Sequence, residues 1–93
     1  MSKMSFMPGL LTYLKLHGQI YTVREYYSID NEVLIDNIKY KRTLIKFIRD
    51  KYELDPYWYW SGFTNLDSWW ERIVGFIPEP DGQKWLYKVE RHR

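Results

Sequence analysis

The chain has no cysteine. Disulfides, thiol nucleophiles and thiolate metal ligands are therefore excluded. Histidine is scarce as well, with His17 and His92 alone, and two imidazoles without ligand spacing make no metal signature. Asp30, Glu32 and Asp36 match no calcium-loop pattern either. Neither a cofactor nor a metal is expected. Long apolar runs are missing too. The stretch from Phe6 to Leu16 is broken by Pro8, Gly9 and Lys15; it is too short to span a bilayer and carries no signal-peptide cleavage site. A cytoplasmic protein without membrane attachment is the expectation. Charge of one sign is not in excess: 14 Lys+Arg stand against 12 Asp+Glu, a net charge of +2. A protein that held nucleic acid by its overall field would be more basic. Any such affinity needs a local patch and stacking. Internal repeats and low-complexity tracts are also absent.

What the chain has in surplus is aromatic side chains, 19% of all residues, with five Trp and nine Tyr. A chain of 93 residues makes one domain and hides roughly 60–65% of its unfolded surface. Its core does not require so many rings, so some are expected on a surface or in a cleft, where Tyr and Trp keep one end wet.

Residues 1–7 read as a flexible leader, and residues 8–93 as the domain. Pro8-Gly9 opens a short helix with Leu10, Leu11, Leu14 and the stem of Lys15 on one face, and His17-Gly18 ends it. Residues 20–27 are β-branched and aromatic, hence a strand. Alternation puts Ile20, Thr22, Arg24 and Tyr26 on one face, with Tyr21, Val23 and Glu25 on the other. Residues 28–32 form a turn and Val33–Asp36 a second strand. Residues 38–50 satisfy both periods: Ile38, Ile45 and Ile48 fit a helical stripe, while Thr43, Ile45 and Phe47 alternate as in a strand. Residue pattern alone leans slightly to helix there. Thr64-x-x-Asp67 approximates a capping box. Leu66, Trp69, Trp70, Ile73 and Ile77 then trace the buried face of a second helix, which Pro78 and Pro80 stop. Asp81-Gly82 turns the chain into a closing strand, Lys84–Arg91, with Trp85, Tyr87 and Val89 on one face.

Three constellations carry chemistry. In Gly18-Gln19-Ile20-Tyr21-Thr22-Val23-Arg24 a glycine turn feeds a strand whose Thr22 and Arg24 share a face. Arg24 offers a planar fork for phosphate or a base edge, and Thr22 a hydroxyl that donates and accepts. As an ordinary strand residue, Arg24 would instead pair with Glu25, Asp30 or Asp50. In Ser61-Gly62-Phe63-Thr64, leading to Trp69-Trp70, a second glycine turn enters a helix, with Phe63 and one tryptophan expected in the core. In Tyr57-Trp58-Tyr59-Trp60 four consecutive rings point in different directions, so one or two must be exposed. They suit a base-stacking platform or a protein-interaction hot spot equally well. Lys39, Lys41, Arg42, Lys46, Arg49 and Lys51, with Lys88, Arg91 and Arg93, read mostly as solvated cations.

The first two constellations, in this order and with the strand-like end Trp85-Leu86-Tyr87-Lys88-Val89, resemble the ASCH family of small PUA-like β-barrels, over about Phe6 to Val89. The resemblance implies an α+β fold, a PUA-like antiparallel barrel with two or three short helices, and makes residues 38–50 mostly a long strand. It also implies RNA or a nucleotide-like ligand in a cleft lined by Gln19, Thr22, Arg24, Trp58, Trp60, Ser61 and Gly62. One branch of the family hydrolyses acylated cytidine nucleosides with a Lys, a nucleophilic Thr and a Glu. Here Thr22 matches the nucleophile, but Gln19 stands at the Lys position and Ser61 at or near the Glu position. A hydroxyl without an adjacent base is a weak nucleophile. The expectation is therefore a binding module, a monomer or weak homodimer. The alternatives are an amidohydrolase or ribonuclease of the same family, or a protein-interaction or inhibitor module. A helix at residues 41–50 would make the fold a winged helix reading DNA.

Overall fold

In the computed structural model, which describes residues 2–92, Pro8 occupies the first turn of α1 (Pro8–His17). Its missing N–H would have no helical partner there. Gly18 ends α1 in the left-handed region at φ 79°, and its N–H donates to the Leu14 carbonyl. The chain then enters β2 (Gln19–Arg24), and β3 (Glu32–Ile35) and β4 (Ile38–Phe47) follow as a hairpin. Asp36 and Asn37 form its two-residue turn, both at positive φ, as a turn that matches strand twist requires. The last strand is β5 (Trp85–Arg91).

Residues 38–47 are strand, which excludes the winged-helix alternative. The helical reading arose from a bulge. The register against β5 shifts between Leu44 and Lys46, so side chains before and after it obey opposite alternation. Tyr40 and Arg42 are buried before the shift, and Phe47 joins their face only after it.

The segment read as a leader takes part in the sheet. Ser2–Lys3 is a strand, β1, paired parallel with Val33–Leu34 of β3. The Met4 N–H donates to the Leu34 carbonyl at 3.0 Å, and its side chain is buried. Met1 and Arg93 lie outside the described residues. The sheet order is β1-β3-β4-β5-β2. Among the described residues no ladder joins β1 to β2, so the fold is α+β with an open, mixed sheet rather than a closed antiparallel barrel. Two helices accompany it, plus two short 3₁₀ turns at Lys51–Leu54 and Trp58–Trp60. Among the described residues no helix is long and apolar enough to cross a membrane.

Each sheet face has its own core. Leu14 of α1 packs with Ile20, Val33, Ile35, Tyr40 and Val89 on one face. On the other, Trp69 and Ile73 of α2 (Leu66–Phe76) pack with Ile48, Leu54, Ile77 and Leu86. The helical stripe read from Leu66 to Ile77 is thus the buried face. Its cap differs from the expected one: Asn65 Oδ1 accepts from the Ser68 N–H at 2.8 Å, while Asp67 pairs with Lys51 at 2.9 Å. Asn65 stands in the extended conformation an N-cap needs, and its amide oxygen reaches a free donor of the first turn.

The first 3₁₀ turn carries its own cap and a pH signature. The Glu53 carboxylate accepts from the Asp50 N–H, pairs with Lys46 and accepts from the Arg49 N–H. These contacts lower its pKa to about 2, against 4.5 ordinarily. A carboxyl so depressed contributes stability in full above its unfolded pKa, and loses it as pH falls through the folded value. Glu53→Gln is therefore expected to flatten the decline of Tm between pH 4.5 and about 2. Parallel Tm–pH curves for the two proteins across that window would contradict it.

Candidate functional site

β2 is an edge strand, and its alternation decides what its outer side offers. Ile20, Thr22 and Arg24 stand on the α1 side of the sheet, whereas Tyr21 and Val23 join the α2-side core. Beyond this edge, between residues 5–7 and α2, lies a cleft of about 500 Å³. Thr22 and Arg24 line one wall; Phe63, Trp69, Arg72 and Phe76 line the other. Phe6 and Tyr26 complete it, and Glu25 is its single carboxylate.

Arg24 is oriented by three contacts. Its Nε donates to Thr22 Oγ1 at 3.2 Å, its Nη2 donates to the Ser5 carbonyl at 3.0 Å, and its guanidinium lies 4.7 Å from the Phe6 ring centroid. Among the described residues it has no ion-pair partner, so the surface pairing with Glu25, Asp30 or Asp50 does not form. Burial lowers its pKa from the ordinary value, and the like charge of Arg42 adds to that against an opposing effect of Tyr26. An arginine remains a cation at neutral pH all the same. Arg72 of α2, an exposed residue, lines the same cleft, with Nη1 3.6 Å from Met7 Sδ and the guanidinium 5.9 Å from the Phe76 ring. It too has no carboxylate partner among the described residues. The cleft is an apolar, aromatic space bounded by two arginines that the protein leaves without counterions.

Behind Arg24 sits Arg42, only 2% exposed. The solvated cation expected at this position is instead the largest fully buried side chain. Its Nε donates to the Asp30 carbonyl at 3.1 Å and its Nη2 to Ser28 Oγ at 2.7 Å. The guanidinium lies 5.9 Å and 5.3 Å from the Tyr26 and Tyr87 rings. The Tyr87 hydroxyl donates to the Tyr26 carbonyl at 2.7 Å and accepts from the Ser28 N–H at 2.8 Å. Segment 26–30 is thereby tied to the sheet, and Tyr26 is held at the rim of the cleft.

The other expected site residues lie elsewhere. Gln19 pairs with Glu90 at the opposite end of β2. Trp58 packs against the α2-side core. Trp60 meets the His17 ring at 6.0 Å and the Tyr59 ring at 5.4 Å. The Ser61 hydroxyl is buried; it donates to the Trp58 carbonyl at 2.6 Å and accepts from the Phe63 N–H at 3.2 Å. Gly62 sits at φ 85°, where a Cβ would stand 2.7 Å from Leu10 Cδ2. Ser61 and Gly62 therefore shape the turn, which brings Phe63 to the cleft. The rings of the cleft are Phe6, Tyr26, Phe63, Trp69 and Phe76, not the 57–60 quartet. Arg72 and Phe76 were legible in principle, three and seven residues after Trp69 on the same helical face. Phe6 was not, because only tertiary contact brings residues 5–7 to β2.

Chemically, the site presents cations, one hydroxyl and ring faces. The Thr22 hydroxyl accepts from a guanidinium and has no base hydrogen-bonded to it among the described residues. The imidazoles are engaged away from the cleft, His17 against Tyr13 and His92 with Glu32. No cluster of three or more metal-ligating side chains occurs among the described residues. No family model, curated protein or solved structure matches the chain.

Proposed function

We propose that the chain binds RNA or a nucleotide-like ligand in the cleft at the edge of β2. The observation that carries this reading is the pair Arg24 and Arg72, without carboxylate partners, at the walls of an aromatic cleft. A guanidinium fork matches phosphate geometry, and an anion entering here would meet two guanidinium groups that have no carboxylate partner among the described residues. Arg24 takes the phosphate or a base edge, Thr22 orients it, and the rings of Phe63 and Phe76 supply the stacking surface. The ASCH resemblance supports the class of ligand, since Thr22 and Arg24, which it places at the ligand, both line the cleft. Aromatic faces accept any base, and splayed single-stranded bases are what RNA-binding clefts take. The hydrolase alternative has less support, because the hydroxyl it needs contacts no base.

The test is binding of a nucleoside monophosphate and of labelled single-stranded RNA, duplex RNA and duplex DNA at two salt concentrations. Wild type is expected to bind the single strand with affinity that falls as salt rises. Arg24→Ala is expected to weaken it by about 1–3 kcal/mol, the cost of losing a charged hydrogen-bond donor. Absence of binding to all four probes at low salt would overturn the proposal and leave a protein partner as the occupant of the cleft.

A further inference from the structure

Arg24 closes the cleft on one side, and beyond it the same sheet face carries aromatic rings that the cleft does not use. Arg24 stands opposite Trp85 of β5, and Trp85 opposite Phe47 of β4. Directly opposed residues of antiparallel strands have Cβ atoms about 4.5–5.5 Å apart and share a face. The bulge at Leu44/Lys46 is what brings Phe47 onto this face. The Trp85 and Phe47 rings meet edge to face at 4.9 Å, and Tyr27 abuts Trp85, also at 4.9 Å. The Arg49 guanidinium lies 5.8 Å from the Phe47 centroid. Trp85 Nε1 donates to Gln83 Oε1 at 3.2 Å, which holds the indole in place.

These rings are not core. Tyr27 is exposed, Trp85 and Phe47 are half-buried, and none belongs to the buried clusters. The row begins and ends in arginines, Arg24 and Arg49, and neither has a carboxylate partner among the described residues. Cation, ring and ring lie on three adjacent strands and the second cation two residues past the end of β4, an order that complements a single strand in which phosphates and bases alternate. A free mononucleotide would use the cleft and leave this row idle.

We propose that the row Trp85–Phe47–Arg49 is a second subsite continuous with the cleft, so that the ligand is a single-stranded oligonucleotide. Its neighbouring base stacks on Trp85 and Phe47, and Arg49 holds the following phosphate. This rests on the cleft reading above. The experiment compares a nucleoside monophosphate, the corresponding dinucleotide and a single-stranded hexanucleotide on the full chain. The proteins are wild type, Trp85→Ala and Arg49→Ala, the latter at an exposed position where folding is not at stake. Wild type should bind the hexanucleotide at least about tenfold more tightly than the monophosphate, as one further stacked base supplies. Both variants should lose most of that margin and keep the affinity for the monophosphate. Equal affinity of wild type for all three ligands would overturn the second subsite and leave the cleft standing. Equal weakening of monophosphate and hexanucleotide by Arg49→Ala would overturn it too. If no ligand binds at all, the cleft reading itself falls, and the subsite with it.

Discussion

Arg42→Ala is expected to destabilise the fold by about 3–5 kcal/mol, the range found when a large buried side chain is truncated to alanine. The Arg42 guanidinium is a buried cation with no ion-pair partner among the described residues, so its cost of leaving water is offset there by hydrogen bonds and ring faces. Those partners are the Asp30 carbonyl, Ser28 Oγ and the rings of Tyr26 and Tyr87. Truncation opens a cavity beneath two tyrosines and strands the polar groups that the guanidinium served. Arg42→Met separates the two effects. It fills much of the volume and removes the buried charge, which by itself can be neutral or favourable. What it leaves is the unsatisfied acceptors, at about 1–3 kcal/mol. Urea denaturation of both variants checks this. For a domain of this size each kcal/mol moves Tm by about 4–8 °C, so the alanine variant should also melt far below wild type. A loss under about 1 kcal/mol for Arg42→Ala would show that segment 26–30 holds without it. The cleft should register the change as well, because Tyr26 sits at its rim and Arg42 repels Arg24.

That Arg42 was read as a solvated cation shows where inference from residues stops. Its neighbours Lys39, Lys41 and Lys46 do face water; strand alternation sets Arg42 on the face opposite Lys39 and Lys41, but does not tell that this face is covered. Only the register β3–β4–β5, with segment 26–30 folded over it, turns one member of a basic run inward. The same limit applies to the leader. Two residues cannot declare themselves a strand, and β1 exists because β3 offers it an edge. Features governed by short-range periodicity were legible: the face shared by Thr22 and Arg24, the buried stripe of α2, and the glycine end of α1. Residues 38–47 were ambiguous for a physical reason, since a bulge breaks the alternation halfway along the strand. Of the residues expected at the ligand, Thr22 and Arg24 line the cleft and the rings of Trp58 and Trp60 do not. Strand alternation assigns Thr22 and Arg24 directly, but choosing rings for the cleft required knowing which side of the sheet each covers.

Trp69→Ala provides the sharpest separation of those two sets of rings. Trp69 is 3% exposed, packs in the α2-side core and forms part of the cleft wall. Its truncation is expected to cost about 3–5 kcal/mol of stability and to abolish ligand binding under conditions where the variant stays folded. Tyr59 makes the control. It belongs to the quartet whose sequence suits a stacking platform or a protein-interaction hot spot, yet it is 68% exposed and lines no part of the cleft. Tyr59→Ala should shift stability by no more than about 0.5 kcal/mol, as surface substitutions do, and leave affinity unchanged. Trp69→Phe keeps a ring at the wall with less volume, so it should recover much of the stability and part of the binding. If Tyr59→Ala weakened binding as much as Arg24→Ala does, the ligand would have to lie over residues 57–60, and the assignment of the cleft would be wrong. If Trp69→Phe folded like wild type and bound nothing, the indole itself would be a contact to the ligand rather than a support for Phe63 and Arg72.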